Sequence, residues 1–530
     1  MKCWILLLIL SLAGPIAVTA AEPSREGATL RIGINAADVE TLDPHLAASF
    51  QDRMIADMVF NGLLRYVPGK APQFEPDLAV EIPEPFVVDG RQYWTFRLKK
   101  GVFFHAGPET EAYELTADDV VYSLRKAADP KRSAYAGEYA GMTFERVDDY
   151  TCRIILKTPL SPNLFLPKIA DYAGGFIVSR RALEAAGGGV FTRQPVGTGP
   201  FAFAQHQAGE RALLTGHAAY FRGRPRLDEV LIRFLPDPVA RYAAFSRGQL
   251  DLIRAETESE QRGPFPAETL IDVFGVPEVA LVHFNLSTAP LNDLRVRQAI
   301  AYALDRDGFL ANFPAETVGE VLAPIPGKFL PGGLQSESVR ALGLDYAVDL
   351  AKSRALLAAA GYPNGFALQL VATKLGHVRK NYEELQQQLA RVGIDIRLEI
   401  VDHSLMHLLI RRDVSPMVIY EAWRPNTDVF LRRFFHSDSI VVSGRNPDTN
   451  FSHYRGIDNL IDLARMEMNP LRQEKLWEYA QVKLLEDMVV YPLHYRNKVY
   501  IRHGYVDYGH TLEASMALYP QITENTRLLR

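Results

Sequence analysis

Cysteine is almost absent from this chain. Its 530 residues hold two, Cys3 and Cys152, which excludes a disulfide framework and a Cys-rich zinc site. Long basic runs are missing as well. Lys and Arg number 58 against 63 Asp and Glu, a net charge of −5, and the basic residues gather only in pairs such as Arg411-Arg412 and Arg432-Arg433. That balance excludes an electrostatic nucleic-acid footprint. Beyond the N-terminal leader no stretch of about 18 apolar residues occurs, so no spanning helix is expected. Internal repeats and low-complexity tracts are lacking. A Gly-x-Ser-x-Gly elbow, a phosphate loop and a dinucleotide glycine fingerprint are also missing, which removes the commonest hydrolase and nucleotide-enzyme signatures.

What is present is ordinary globular material: 48% hydrophobic, 10% aromatic and 23% charged residues. At roughly 100–200 residues per domain the length predicts two to four domains. Residues 1–21 read as a cleaved secretory signal. Lys2 supplies the charged start, Cys3 to Leu12 the apolar stretch, and Thr19-Ala20-Ala21 the small residues before the cut. Cleavage there removes Cys3 and leaves Cys152 as a lone thiol. Leu12-Ala13-Gly14 is followed by Pro15 rather than Cys, so a lipid anchor is not expected.

Periodicity predicts alternating strands and helices. Trp94, Phe96 and Leu98 share one strand face, as do Val230, Ile232 and Phe234, and Ile394, Ile396, Leu398 and Ile400. Thr116 and Asp119 have capping-box spacing for a helix through Ala127. Asp293 can cap a helix whose buried face is Val296, Ile300, Ala303 and Leu304, and a further helix should stop at Gly361. A strand near 366–371 and a helix at 381–392 precede the strand at 394–400. The pattern is α/β. Gly187-Gly188-Gly189 reads as the clearest flexible joint.

Few residues suggest chemistry. Ser123 and Lys126 fit a Ser-x-x-Lys pattern but have no partner motif, so the match reads as chance. Asp118-Asp119 reads as helix capping, because neighbours on a helix diverge and the first turn favours carboxylates. His403 and His407 lie four apart, as a metal pair on a helix would, yet without the glutamate of His-Glu-x-x-His; surface or core histidines are the preferred reading. No catalytic constellation assembles, and no cofactor or metal is expected. A large exported chain of this kind reads as a binder, not an enzyme.

A series of tags runs through the chain in order: TLDPH at 41–45, NGLLRY at 61–66, EPDLAVEIP at 75–83 and WTFRLKKGVFFHAG at 94–107. LTADDVVYSLRKA at 115–127, PVGTGPFAF at 195–203, NDLRVRQAIAYALDRD at 292–307 and AGYPNGFALQL at 360–370 follow. With these the chain resembles the peptide-type (family 5) solute-binding proteins of bacterial ABC importers. The tags themselves read as structural; Gly197, Gly199 and Pro200 suit a tight turn feeding a strand at Phe201. The resemblance implies a periplasmic binding protein-like type II fold, two lobes around a cleft plus an extra α/β domain. Lobe I would combine residues 22–62, 190–280 and 495–530, the extra domain would span 63–189, and lobe II 281–494. Hinges would fall where the chain crosses near 278–284 and 490–496.

The resemblance also implies a ligand site. Phe50 in the loop after TLDPH, Tyr135 from the extra domain, Arg379 just before a helix, and Trp423, Arg424, Asn426 and Asp428 in EAWRPNTD match ligand-contacting positions. Arg379 would pair a peptide carboxylate with its planar fork. Relatives place an Asp three residues after the Trp, for the peptide's amino terminus, whereas this chain has Asn426. An ammonium buried there loses its charge partner. Either Asp428 replaces it through a loop shift, or the ligand lacks a free amino terminus. Arg424 would favour an acidic group on the ligand.

The expected function is a monomeric periplasmic receptor that closes on a peptide or peptide-like solute and delivers it to ABC permease subunits in the inner membrane. The rival cargoes are a nickel chelate, haem, a sugar oligomer or an opine-like compound, for which a metal reading would use His45, His403 and His407. An exported hydrolase is the distant alternative, and a chaperone-like or structural role a further one.

Overall fold

Strand and helix alternate as the periodicity predicts, and the fold is mixed α/β. The computed structural model describes residues 28–170, 174–255 and 265–529; the expected signal at 1–21 lies outside them. The three alternating patterns form the strands Arg91–Arg97, Leu227–Phe234 and Ile394–Val401. Trp94, Phe96, Val230 and Ile232 are fully covered, whereas Ile400 is 44% exposed, so the last strand is buried only at its start. Thr116 and Asp119 make the reciprocal capping box of the helix Ala117–Ala127. Asp293 caps Leu294–Ala303. Gly361 follows Leu350–Ala359 with φ +94, a left-handed stop that costs glycine little.

Two expectations are corrected. The three glycines at 187–189 are no joint: they lie inside the helix Arg180–Phe191. Glycine weakens a helix by about 1 kcal/mol relative to Ala, but buried Ala182, Leu183 and Phe191 anchor this one at both ends. The helix expected at 381–392 begins five residues earlier, as Gly376–Ala390, which puts Arg379 in its first turn and not before it. No capping side chain marks that start.

A nine-stranded sheet carries the architecture. Across it lie Met417–Trp423, Thr269–Phe284, Val490–His503, Leu252–Arg254, Ala28–Ile34, Leu227–Phe234, Arg211–Gly216 and Phe201–Gln207, with Val318–Glu320 added on the 490–503 strand. Thr269–Phe284 and Val490–His503 are its longest members and pair antiparallel from Thr269↔His503 to His283↔Val490. One end of this pair joins the strands at 252–254 and 28–34. The other end joins 417–423. Between the two ends the register slips, from Gly275↔Asn497 to Val279↔Tyr495. Such a bulge bends and twists the ribbon locally.

A βαβ unit packs beside the second end. Phe366–Thr373 and Ile394–Val401 run parallel and are joined by the helix Gly376–Ala390, and the helix His403–Arg411 follows directly. A parallel pair needs such a crossover. Its core, with Ile300, Leu370, Tyr382, Leu385 and Ile394, is separate from the core built on Ile32, Val230, Trp94 and Phe165. Residues 86–156 form a four-stranded sheet of their own, and Trp94 stacks on Phe165 with centroids 4.4 Å apart.

Gly197 and Gly199 owe their place to proximity, not to a left-handed turn. A Cβ on Gly197 would stand 2.0 Å from the Val59 carbonyl oxygen, and one on Gly199 2.4 Å from that of Met58. The PVGTGPF loop lies flat on the end of the helix Phe50–Val59, and only glycine permits that approach.

Candidate ligand-binding site

The long strands fix a polar cavity of about 570 Å³ at their bulge. Glu278 stands beside the bulge, and Arg496 and Lys498 alternate onto one face of the facing strand. Glu421 comes from the 417–423 strand and Arg254 from the end of 252–254. The remaining wall is the start of two helices, with His377, Val378, His403 and His407. Those helices begin at the carboxyl ends of the parallel strands 366–373 and 394–401. Open α/β sheets place their ligand clefts at such strand ends.

The charges in this cavity are mostly paired. Arg496 donates to Glu421 at 2.6 Å, with both side chains less than a tenth exposed. Lys498 donates to Glu278 at 2.5 Å. Burial pushes the Glu278 carboxyl up, but Lys498 and Arg496 outweigh it and hold the carboxyl below its usual range. For Glu421 burial prevails over Arg496, and its carboxyl is raised. Burial, reinforced by Arg496, presses the His377 imidazole down to about 3, so it is neutral near pH 7.

His403 and His407 are bonded to each other, Nε2 to Nε2 at 3.1 Å. The Arg411 guanidinium lies 3.3 Å from His407 Nδ1 and can only donate, which leaves His407 Nε2–H as donor to His403. His403 then donates from Nδ1 to Thr373 Oγ1 at 3.2 Å. Both Nε2 atoms are thereby occupied, which does not suit a metal pair. His45 sits elsewhere, fully buried, with Nε2 on the Phe176 carbonyl and Nδ1 facing Lys126, and burial lowers it to about 4. Among the described residues no group of three or more His, Cys, Asp or Glu could hold a metal ion.

The other chemistry-bearing motifs are structural. Ser123 Oγ donates to the Val178 carbonyl and accepts from its amide, and Lys126 is buried in an ion pair with Asp43 at 2.8 Å. Cys152 is buried, which pushes its thiol up to about 12.

The residues expected to touch ligand fall in two places. Phe50 opens the helix Phe50–Val59 behind the cap Ser49, and its ring lies 5.1 Å beneath the Arg254 guanidinium. Tyr135 donates to the Ala47 carbonyl and so holds the loop that leads to Phe50. Trp423 ends the 417–423 strand on the face of Ile419 and Glu421, two residues beyond a cavity wall. Arg379, 42% exposed, pairs with Glu383 one turn on at 3.2 Å, while its helix neighbours His377 and Val378 reach the cavity. Arg424 turns back to donate to the Trp423 carbonyl and covers the Phe434 ring at 4.7 Å. Burial lowers it.

Asn426 and Asp428 lie apart from that cavity. Asn426 caps the helix Thr427–Phe435, its Oδ1 accepting from the Val429 amide at 2.9 Å. Both line a second cavity, of about 270 Å³, with Glu138, Lys168 and Arg465. Asp428 is buried, which raises its carboxyl, and its nearest cation is Arg465 at 3.8 Å. Arg254, Glu278, Glu421, Arg496 and Lys498 were not anticipated from sequence. Lys498 and Glu278 are 220 positions apart, and only the strand register joins them.

The arrangement is that of a solute-binding protein, a charged cavity where one long strand pair passes between two packed bodies. The model of the bacterial extracellular solute-binding proteins, family 5, middle region, matches residues 73–440. Heme-binding protein A of Haemophilus influenzae is 33% identical over 332 residues, 59% of this chain and 58% of that protein. The dipeptide-binding protein of Escherichia coli is 26% identical over 426 residues, 74% of this chain and 76% of that one. Among solved structures, MoaA from A. tumefacien R10, in complex with mannopinic acid, is 35% identical with a TM-score of 0.73, covering 94% of this chain and 99% of its own. The chain belongs to the family 5 bacterial extracellular solute-binding proteins, and its fold is their type II periplasmic binding protein fold.

Proposed function

We propose that this protein is the periplasmic receptor of an ABC importer, closing on a peptide or peptide-like solute and presenting it to the permease. The observation that carries the reading is the 570 Å³ polar cavity at the crossing strands, a size suited to a small solute. Peptide binding in the dipeptide-binding relative supports the cargo. Lobe I is 22–62 with 190–280 and 495–530, the extra domain 63–189 and lobe II 281–494, with the two long strands as hinges; their bulge supports that division. Phe50, Tyr135, Arg379, Trp423 and Arg424 are proposed around the ligand. Residues 1–21 would be removed on export, and the mature chain would work as a monomer without catalysis.

One observation favours a second reading. The relative bound to mannopinic acid matches at 35% identity across nearly its whole length, so an opine-like cargo is the alternative. Mass spectrometry of protein purified under native conditions separates the two. A retained peptide ladder supports the first; a single non-peptide mass favours the second, and a haem mass overturns both. In a thermal-shift panel, di- to pentapeptides should raise the melting temperature, and silence from all of them would sink peptide cargo.

A further inference from the structure

We infer that the crossing-strand cavity selects acidic solutes, those carrying one more carboxylate than amine, and that Arg254 is the anchor for the extra carboxylate. The inference rests on the solute-receptor reading and names the ligand class of that cavity.

Counting charge around the cavity leads there. Arg254, Arg496 and Lys498 face Glu278 and Glu421, and burial lowers the His377 and His407 imidazoles. Each carboxylate already has its own cation, at 2.6 Å for Glu421–Arg496 and 2.5 Å for Glu278–Lys498. Arg254 is the cation left over. Among the described residues no ion pair joins it to a carboxylate, and Glu278, already bonded to Lys498, feels its charge at longer range. Its side chain is half-buried, and the guanidinium carbon lies over the Phe50 ring, 5.1 Å from the centroid.

A guanidinium held over an aromatic ring still has N–H donors for a planar partner, and a carboxylate is the partner that takes two at once. Burying the cation on lobe closure without one would leave it uncompensated, which is costly. Counted over the described lining residues, a ligand of net charge −1 balances the cavity, whereas a simple dipeptide zwitterion leaves one positive charge over. The position also gives Arg254 a role in closure. It stands at the end of the 252–254 strand, opposite the helix starts at His377 and His403, so a carboxylate on Arg254 lies between walls contributed from both sides.

The test is calorimetry on the purified full-length mature chain with four probes: alanyl-glutamate, alanyl-alanine, alanyl-alaninamide and the non-peptide diacid amine N-(1-carboxyethyl)alanine. We expect alanyl-glutamate to bind at least tenfold more tightly than alanyl-alanine, and alanyl-alaninamide to bind most weakly. Arg254→Ala should abolish the acidic preference, and Arg254→Lys should restore part of it by charge without the fork. Circular dichroism and melting temperature of both variants check that they fold. If the peptides fail and only the non-peptide diacid binds, in an Arg254-dependent way, peptide cargo falls and this inference stands. Equal affinity for acidic and neutral peptides in the wild type, or an unchanged preference in Arg254→Ala, overturns it. Silence from every carboxylate probe overturns both.

Discussion

Two polar cavities flank the 417–435 segment, and they use charge differently. At the crossing strands, Glu421 and Glu278 each meet a cation at 2.6 and 2.5 Å, and the side chains of the Glu421–Arg496 pair are less than a tenth exposed. Around Asn426 and Asp428, the asparagine is spent on a helix cap, and the nearest cation to Asp428 is 3.8 Å away on a side chain that is 41% exposed. The first cavity is a fixed electrostatic wall with one cation to spare. The second is helix-end chemistry that happens to border a void. A sequence tag therefore marks a neighbourhood, while the distances decide which of its residues can serve a ligand.

The sharpest way to break this contrast is to remove one cation from each cavity. Arg496→Met leaves Glu421 buried without its partner, and breaking such a pair costs about 3–5 kcal/mol. Arg465→Met removes a distant, half-exposed partner, so its cost should stay below about 1 kcal/mol. Urea denaturation of the two variants reads both numbers. Similar losses would erase the distinction.

The comparison also shows what sequence can and cannot reveal. The Thr116–Asp119 box, the Asp293 cap and the Gly361 stop were legible because each is settled within a few residues. The strands at 91–97 and 227–234 were legible because burial repeats every second position. Arg254, Glu278 and Lys498 were not, because isolated charges on strands look solvent-facing until a register brings them together. The helix start at Gly376 was missed since no capping side chain announces it. The glycines at 187–189 misled because local propensity yielded to tertiary anchoring. Gly197 and Gly199 were recognised as a tag, but their reason, the backbone of Val59 and Met58, is visible only in three dimensions.

A smaller effect should separate the cavities by pH. His377 borders the first and is pressed down to about 3, while the second has no histidine in its wall. In the unfolded chain an imidazole takes up its proton near pH 6.5, so between that pH and 3 the unfolded state binds more protons at this position. Its contribution is present above 6.5 and is lost as pH falls through that window. Between pH 6.5 and 5.5, His377→Gln should therefore lose about 1 kcal/mol less stability than the parent. His45, at about 4, tilts the same way, whereas Asp57, buried and raised to about 7, tilts the other, so the reading must be the difference between variant and parent. Parallel slopes would mean that His377 is not held neutral.

The smallest expected effect is at Asn426, and it is the most direct check on how the second cavity is used. Asn426→Ala should cost about 1 kcal/mol, the ordinary loss of a helix cap. Asn426→Asp should change stability by only a few tenths, about the spread between good caps, since aspartate accepts the Val429 amide equally well and suits the positive helix end. That second substitution also supplies the carboxylate that the family resemblance leads one to expect three residues after Trp423. If the 426 position faced the ligand's amino group, the new charge would tighten binding of a free-amino peptide over its N-acetylated form. Because the side chain is committed to the helix and borders the 270 Å³ cavity rather than the crossing strands, no such gain is expected. Calorimetry with the matched pair of peptides decides it, and a tenfold preference appearing only in Asn426→Asp would move the amino-group site back to this loop.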